Sequence, residues 1–485
     1  MTSRPILKKS LVLLLLGLFS PVAWGDQKKT TAPSKQTAPA KAAPKAKSAP
    51  AAKPAQTPSR RAVGPGNTHT GMSSRPNTGM GARGGMNAGK LGGMNALHPG
   101  ARITRTFMDL SGHPASATFR PGGQVAWIHA NGMTIDHGLR GGRTIVSERN
   151  GLTIVSTGAH GGYVQRPYLT RNGRTYYQRT YVVGGRSYAR VYRAYDYRGV
   201  RYYGYVPDYY YHPRFYDWAY NPWVTPIYFS PAAWGWAGSP WLGFYGAYFT
   251  PNPVYPNASL WLTDYLIAAN LQVAYEAQAE ANAAAPGSPG AAYSGPATAT
   301  QTPLSPEVKQ AIADEVRRQL RAEQAVATKP APPPTVAEVP DALKPSDRIF
   351  VVSRNLDVTV PSTGQECSLT PGDVVMRLSD TPDANQNVTA SIQSNKKGDC
   401  AIGQTVAIGV QDLQEMHNRF LEQLNDGLKT LIEKRGTHGL PKPPDTAPAG
   451  GEVPPPMPDS KAQEQLIAQQ QQADQTEHQI AQAQP

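Results

Sequence analysis

The sequence predicts a multi-region, mainly β chain with added helices. Three observations carry this reading. Turn pairs recur about every ten residues from 131 to 199, short β-branched runs fill 346–410, and the two ends of the chain carry too little apolar side chain to build a core.

Residues 1–25, "MTSRPILKKSLVLLLLGLFSPVAWG", place Arg4, Lys8 and Lys9 before a short apolar run and finish on small residues at 23 and 25. That is the pattern of a cleaved secretory signal peptide. Residues 26–100 hold twelve bases and one acid in Lys/Ala/Pro-rich and then Gly/Met-rich sequence. Ordering them would cost entropy that no core repays, so they read as a basic disordered tether.

Residues 101–217 read as an Arg/Tyr-rich β-repeat region. Runs such as "RTIVS", "LTIVS", "RTYYQRTYVV" and "SYARVYRAY" lie between Asn-Gly or Gly-Gly pairs, the signature of consecutive hairpins. The spacing predicts a meander of about eight strands. Alternation puts Tyr188, Arg190 and Tyr192 on one face and Val191 and Arg193 on the other, with two registers open for the preceding strand. Within this region "YDYRG" at 195–199 resembles the Tyr-Asp repeats of large bacterial secreted proteins. "HANGMTI" and "GGRTIVSERNG" are similar to a family of exported bacterial proteins with Tyr/Arg/Gly-rich β repeats. The likeness covers about 101–284 and implies export, with no activity, cofactor or catalytic residue to carry over.

Residues 218–257 form an uncharged, aromatic, Pro/Gly-rich segment, read as a cap packed on the meander, because Pro and Gly forbid a spanning helix. A helix follows at 258–284, a linker at 285–302, and a second helix at 303–328, with Ser305 as cap and Pro306 at its first position. Its stripe Val308, Ile312, Val316 and Leu320 suits docking on a protein partner. After a Pro-rich linker (329–345), residues 346–410 carry five short strands. The run "LTPGDVVMRL" followed by "VQDLQEM" resembles SH3-like β-barrels. Phe350 is the only aromatic between 294 and 419, so the aromatic groove of peptide-binding SH3 domains is missing. A helix at 411–436 and a Pro/Gln-rich tail at 437–485, expected to be largely disordered or weakly helical, complete the chain.

Charge is polarised along the mature chain. Residues 26–100 carry +11, residues 101–217 carry +10, and residues 218–485 carry −10. Tyrosine offers a stacking face and arginine a planar fork, so Tyr176, Arg179, Tyr188, Arg190, Tyr192, Arg193 and Tyr202 read as a surface for an anionic, ring-bearing polymer. The competing reading is a set of aromatic ladders that stabilise the sheet and bind nothing. His129, His137 and His160 sit near turns as candidate metal ligands, against the alternative of solvated turn histidines. Cys367 and Cys400, the only cysteines, are expected to pair after export.

"GMGARG" at 79–84 has dinucleotide-motif spacing, but neither a preceding strand nor a following helix supports it. No GxSxG, HExxH or Walker sequence occurs, no catalytic residue is assigned, and no cofactor is implied. The resulting expectation is an exported envelope or extracellular non-enzymatic protein that binds or scaffolds anionic polysaccharide or peptidoglycan. It has no transmembrane span beyond the signal peptide, and no recognised nucleic-acid module. The alternatives are a purely structural matrix or assembly protein and a glycan-acting enzyme using a carboxylate such as Asp208, Asp217 or Asp264.

Overall fold

The computed structural model describes residues 102–108, 112–149, 151–158, 161–284, 301–328, 338–344, 348–437, 439–444 and 447–482. The signal peptide and basic tether expected in 1–100 lie outside these residues, as do 285–300 and 329–337.

Alternating side chains between turn pairs build ten consecutive antiparallel strands: β1 (Ile103–Met108), β2 (Pro114–Phe119), β3 (Val125–Ala130), β4 (Met133–His137), β5 (Arg143–Arg149), β6 (Leu152–Thr157), β7 (Gly161–Arg171), β8 (Arg174–Val183), β9 (Arg186–Tyr197) and β10 (Val200–Val206). Their order in the sheet is their order in the chain. At two tips, Asn131 (φ 54°) precedes Gly132 (φ 70°) and Asn172 (φ 51°) precedes Gly173 (φ 73°). Two successive left-handed residues make the type I′ turn whose twist matches that of paired strands. The spacing predicts about eight strands and the structure has ten. β1 joins β2 through "DLSGHP" rather than through an Asn-Gly or Gly-Gly pair, so the turn period misses it.

Past the meander come β11 (Tyr209–Tyr211), α1 (Pro213–Tyr220), β12 (Ile227–Tyr228), α2 (Pro231–Trp234), α3 (Pro240–Phe244) and β13 (Val254–Tyr255). Proline opens each of these three helices, where its missing N–H has no intrahelical partner to lose. The uncharged segment is not a cap on the meander. Trp223, Trp234, Trp236, Trp241 and Trp261 are buried in one cluster with Leu262, Leu266 and Leu424, so the aromatic rings wrap helices instead.

Helix α4 (Ala258–Ala284) begins where the Asn257 side chain accepts from the Leu260 N–H at 3.1 Å. Helix α5 (Pro306–Thr328) begins where Ser305 Oγ accepts from the Val308 N–H at 3.3 Å. The stripe Val308, Ile312, Val316 and Leu320 is buried in the same cluster, packed on α1 and α4. The surface expected to meet a protein partner is therefore covered by the chain itself.

The C-terminal strands β14 (Ile349–Val351), β15 (Leu356–Thr359), β16 (Glu366–Leu369), β17 (Val374–Arg377), β18 (Asn387–Ser394) and β19 (Thr405–Gly409) form a six-stranded antiparallel sheet in the order β14-β17-β18-β19-β15-β16. Five strands are expected from the sequence; the sixth is β16, whose short "ECSL" shows no alternation. Cys367 on β16 is disulfide-bonded to Cys400. Beside this sheet the Lys396 ammonium is fully buried, donating to Thr370 O, Pro371 O and Asp373 Oδ1 at 3.2, 2.5 and 2.9 Å.

Helix α6 (Val410–Glu433) joins the two largest cores. Its Leu413 and Met416 pack with Phe350, Val358 and Ile392 of the six-stranded sheet, while Phe420, Leu424, Leu428 and Leu431 enter the tryptophan-rich cluster. Each fully buried leucine of this kind stabilises by about 1.5–3 kcal/mol.

The tail, expected to be largely disordered or weakly helical, is described over 447–482 as a short strand and a helix. β20 (Pro448–Gly450) pairs with β11, and α7 (Ala462–Gln482) lies across β5 to β8. Ala473 and Ile480 meet Ile128, Ile135 and Ile145, while Ala462 and Leu466 meet Val164 and Val182. The meander supplies the apolar partners that a Gln-rich helix lacks on its own.

Candidate functional site

The β8–β9 register decides what the Tyr/Arg alternation builds. Tyr177 faces Tyr192, Arg179 faces Arg190, and Tyr181 faces Tyr188. Two arginines directly opposite each other repel unless acids neutralise them. The acids come from α6, where Glu415, Arg419, Glu422 and Asp426 fall at helical spacing and form one polar stripe on this face.

Arg179 is 1% exposed and donates from Nη1 and Nη2 to the two oxygens of Glu415 at 2.6 and 2.8 Å, and from Nε to Gln165 Oε1 at 2.6 Å. Its guanidinium lies 3.9 Å from the Tyr192 ring centroid and 4.6 Å from that of Tyr163. Burial opposes the charge, but the Glu415 carboxylate outweighs it and holds the guanidinium above its ordinary value. The Tyr192 hydroxyl bonds to Glu422 and, at 2.7 Å, to the Tyr181 hydroxyl. Burial first, and Glu422 second, push both phenols well above their usual range. Arg190 donates to Asp426 Oδ1 at 2.5 Å, and Tyr188 stacks on Tyr181 with centroids 5.1 Å apart.

On the opposite face, the Tyr176 hydroxyl donates to Glu452 Oε2 at 3.1 Å, while Arg193 lies 3.2 Å from Glu338 and 4.0 Å from Glu452. Tyr202 is buried in an apolar cluster with Ala342, Leu343 and Phe350, and its ring stacks with that of Tyr195. Strand alternation thus sorts the seven residues onto two faces, and the chain's own acidic half covers both. Of the set Tyr176, Arg179, Tyr188, Arg190, Tyr192, Arg193 and Tyr202, four are buried outright, and the forks of Arg179, Arg190 and Arg193 are engaged by carboxylates.

The candidate metal ligands are not brought together. His129 pairs across the strands with Thr134, and its Nδ1 lies 3.0 Å from Thr134 Oγ1. His137 is three residues further along β4, an odd separation that turns it to the opposite face, where Nε2 lies 3.1 Å from Glu477 Oε1. His160 lies outside the described residues. Among the described residues no group of three or more His, Cys, Asp or Glu is placed to hold a metal ion.

The three carboxylates considered for glycan chemistry have separate surroundings. Asp264 is buried beside the Lys309 ammonium at 2.9 Å and accepts from the Tyr255 hydroxyl. Asp217 accepts from Tyr220 and Gln324, and Asp208 lies 4.0 Å from Arg190. A fourth carboxyl, missed by sequence reasoning, is more perturbed. Glu323 on α5 is 7% exposed, accepts from Asn425 Nδ2 at 3.1 Å, and is also hydrogen-bonded to the Tyr216 phenol. Burial pushes it up to about 7.

Sequence reasoning also missed Glu415, Glu422, Asp426 and Glu452, which close the arginine faces. Two signals pointed to them: the opposite charges of 101–217 and 218–485, and the acid spacing along α6.

Comparison with protein-family models, with curated proteins and with solved structures gives no match. Among the described residues no helix is long and apolar enough to cross a membrane.

Proposed function

We propose that this chain is an exported, non-enzymatic scaffold of the cell envelope or extracellular space that holds anionic polymer, polysaccharide or peptidoglycan, chiefly through its basic segment 26–100. The observation that carries the reading is internal charge matching. The +10 of residues 101–217 and the −10 of residues 218–485 cancel, and ion pairs such as Arg179–Glu415 and Arg190–Asp426 join the two regions directly. The uncompensated charge of the mature chain is then the +11 of residues 26–100. The Tyr/Arg ladders serve the sheet, and the six-stranded C-terminal sheet acts as an SH3-like module that carries part of the cover. The N-terminal export pattern and the Cys367–Cys400 bridge support an oxidising compartment.

Deleting residues 26–100 tests this. Binding to polygalacturonate, measured against salt, should weaken, and the slope of log affinity against log salt should fall, because fewer counterions are released. An unchanged slope would make the segment a spacer. Absence of binding by the full-length protein at low salt would leave the purely structural scaffold.

A further inference from the structure

One face of the meander is covered by a strap that resembles, in charge, the polymer the protein is proposed to hold. Following the register from β4 to β9 puts His137, Arg143, Arg166, Tyr176, Gln178 and Arg193 on a single face. Arg143, Arg166 and Arg193 stand on alternate strands along a diagonal of the sheet: Arg166 is displaced six residues along the strand direction from the position opposite Arg143, and Arg193 two residues from the position opposite Arg166, so about 20 Å separates the first pair and about 12 Å the second. Residues 447–482 run over them in reverse order. Glu452 accepts from Tyr176 and lies 4.0 Å from Arg193, which also keeps Glu338 at 3.2 Å from outside the strap; Asp459 meets Arg166, and Asp474 and Glu477 meet Arg143 at 2.6 and 3.0 Å. Residues 447–482 contain five acids and one lysine.

Two features set this strap apart from α6. Its apolar anchors are few: Val453, Ala462, Leu466, Ala473 and Ile480, two of them alanines, whereas α6 buries six large apolar side chains in two cores. Its arginines are more open to water: Arg143, Arg166 and Arg193 are 26%, 37% and 22% exposed, against 1% and 16% for the Arg179 and Arg190 that face α6, and pairs open to water hold weakly. Besides these pairs the segment, mostly the helix α7, is held by the buried Gln469, which bonds to Ser147, Ser156 and Ile154 O; its acids over a row of arginine forks make a ligand mimic that a longer polyanion can outcompete, since forks that bind side-chain carboxylates also bind uronate or phosphate.

We propose that residues 447–482 are a displaceable pseudo-ligand, and that the Arg143–Arg166–Arg193 row beneath them is a second binding site for a linear polyanion carrying carboxylate or phosphate groups. This deepens the polymer-holding reading and rests on it. The basic segment captures the polymer through charge, and displacement of the strap then seats it across the strands.

The test uses the full-length protein and a full-length variant in which Glu452→Gln, Asp459→Asn, Asp474→Asn and Glu477→Gln remove the mimicry while leaving the apolar anchors. Amide hydrogen exchange is followed over 462–480 with polygalacturonate, and with neutral dextran as control. In the unmodified protein, polygalacturonate should speed exchange across 462–480 and dextran should not. In the variant, exchange should be faster before any addition, and affinity for polygalacturonate at fixed salt should rise several-fold. Polymer bound with strap protection unchanged in both proteins would overturn the inference while leaving the polymer-holding reading intact. Failure of both proteins to bind polymer at low salt would overturn both.

Discussion

The Arg179 guanidinium on β8 meets the Glu415 carboxylate on α6 across 236 residues of chain, in a two-bond pair at 2.6 and 2.8 Å. The arginine is sandwiched by the rings of Tyr163 and Tyr192 and is almost wholly removed from water. Chemistry that reads in the sequence as recognition of an outside anion is satisfied inside the molecule by an acid of the same chain. A charge desolvated this far is costly to leave unpaired, so the pair ties the meander to the C-terminal half.

Tyr192→Phe separates a structural face from a displayed one. The substitution removes the hydroxyl that joins Glu422 and Tyr181 inside the fold. The expected loss is about 1–3 kcal/mol in chemical unfolding, with retention on polygalacturonate unchanged. Lost retention with an unaltered melt would return Tyr192 to a binding role.

The Cys367–Cys400 bridge closes a loop with a sequence separation of 33 residues. Replacing both cysteines by alanine should lower stability by about 3–4 kcal/mol through the freed loop of the unfolded chain. The full-length protein, folded under oxidising conditions and denatured without reductant, should titrate no free thiol; two titratable thiols would contradict the pairing.

Glu323 makes stability depend on pH with a definite sign. Burial raises its carboxyl from 4.5 to about 7, so the folded state holds the proton more tightly than the unfolded one. Its contribution is fully present below about pH 4.5 and is lost as pH rises through 7, a swing of about 3 kcal/mol. Glu323→Gln should flatten this slope between pH 5 and pH 8 in urea titrations; an equal slope in both proteins would assign it to other groups.

Leu424 is fully buried in the tryptophan-rich cluster on the helix that also reaches the six-stranded sheet. Leu424→Ala should cost about 2–5 kcal/mol. Because α6 belongs to both cores, tryptophan fluorescence and far-ultraviolet circular dichroism should lose structure at the same denaturant concentration. Separate transitions would show that the cores melt independently.

The meander is legible in the sequence because its two signals are local: period-two alternation as in "SYARVYR", and left-handed turn pairs such as Asn131-Gly132. Strand β1 lacks the second signal, and β16 is too short for the first. What covers a strand face has no local signature. Alternation assigns Tyr188, Arg190 and Tyr192 to one side, but their contacts with Glu422, Arg419 and Asp426 depend on how α6 is brought back over the sheet. The tail misleads for a related reason. Ala462, Leu466, Ala473 and Ile480 are too sparse to predict an amphipathic helix, and their burial depends on the apolar strip that β3 to β8 provide. Opposite net charge was the one long-range trace of this architecture in composition, and it is equally compatible with an external partner.

A double-mutant cycle on Arg179 and Glu415, read by chemical unfolding of the full-length protein, tests the internal closure most directly. Arg179→Ala, Glu415→Ala and the double variant should give a coupling energy of about 1.5–3 kcal/mol, with polygalacturonate retention unchanged in all three. Coupling near zero, together with polymer retention lost in Arg179→Ala, would contradict the account and restore the face to an external ligand.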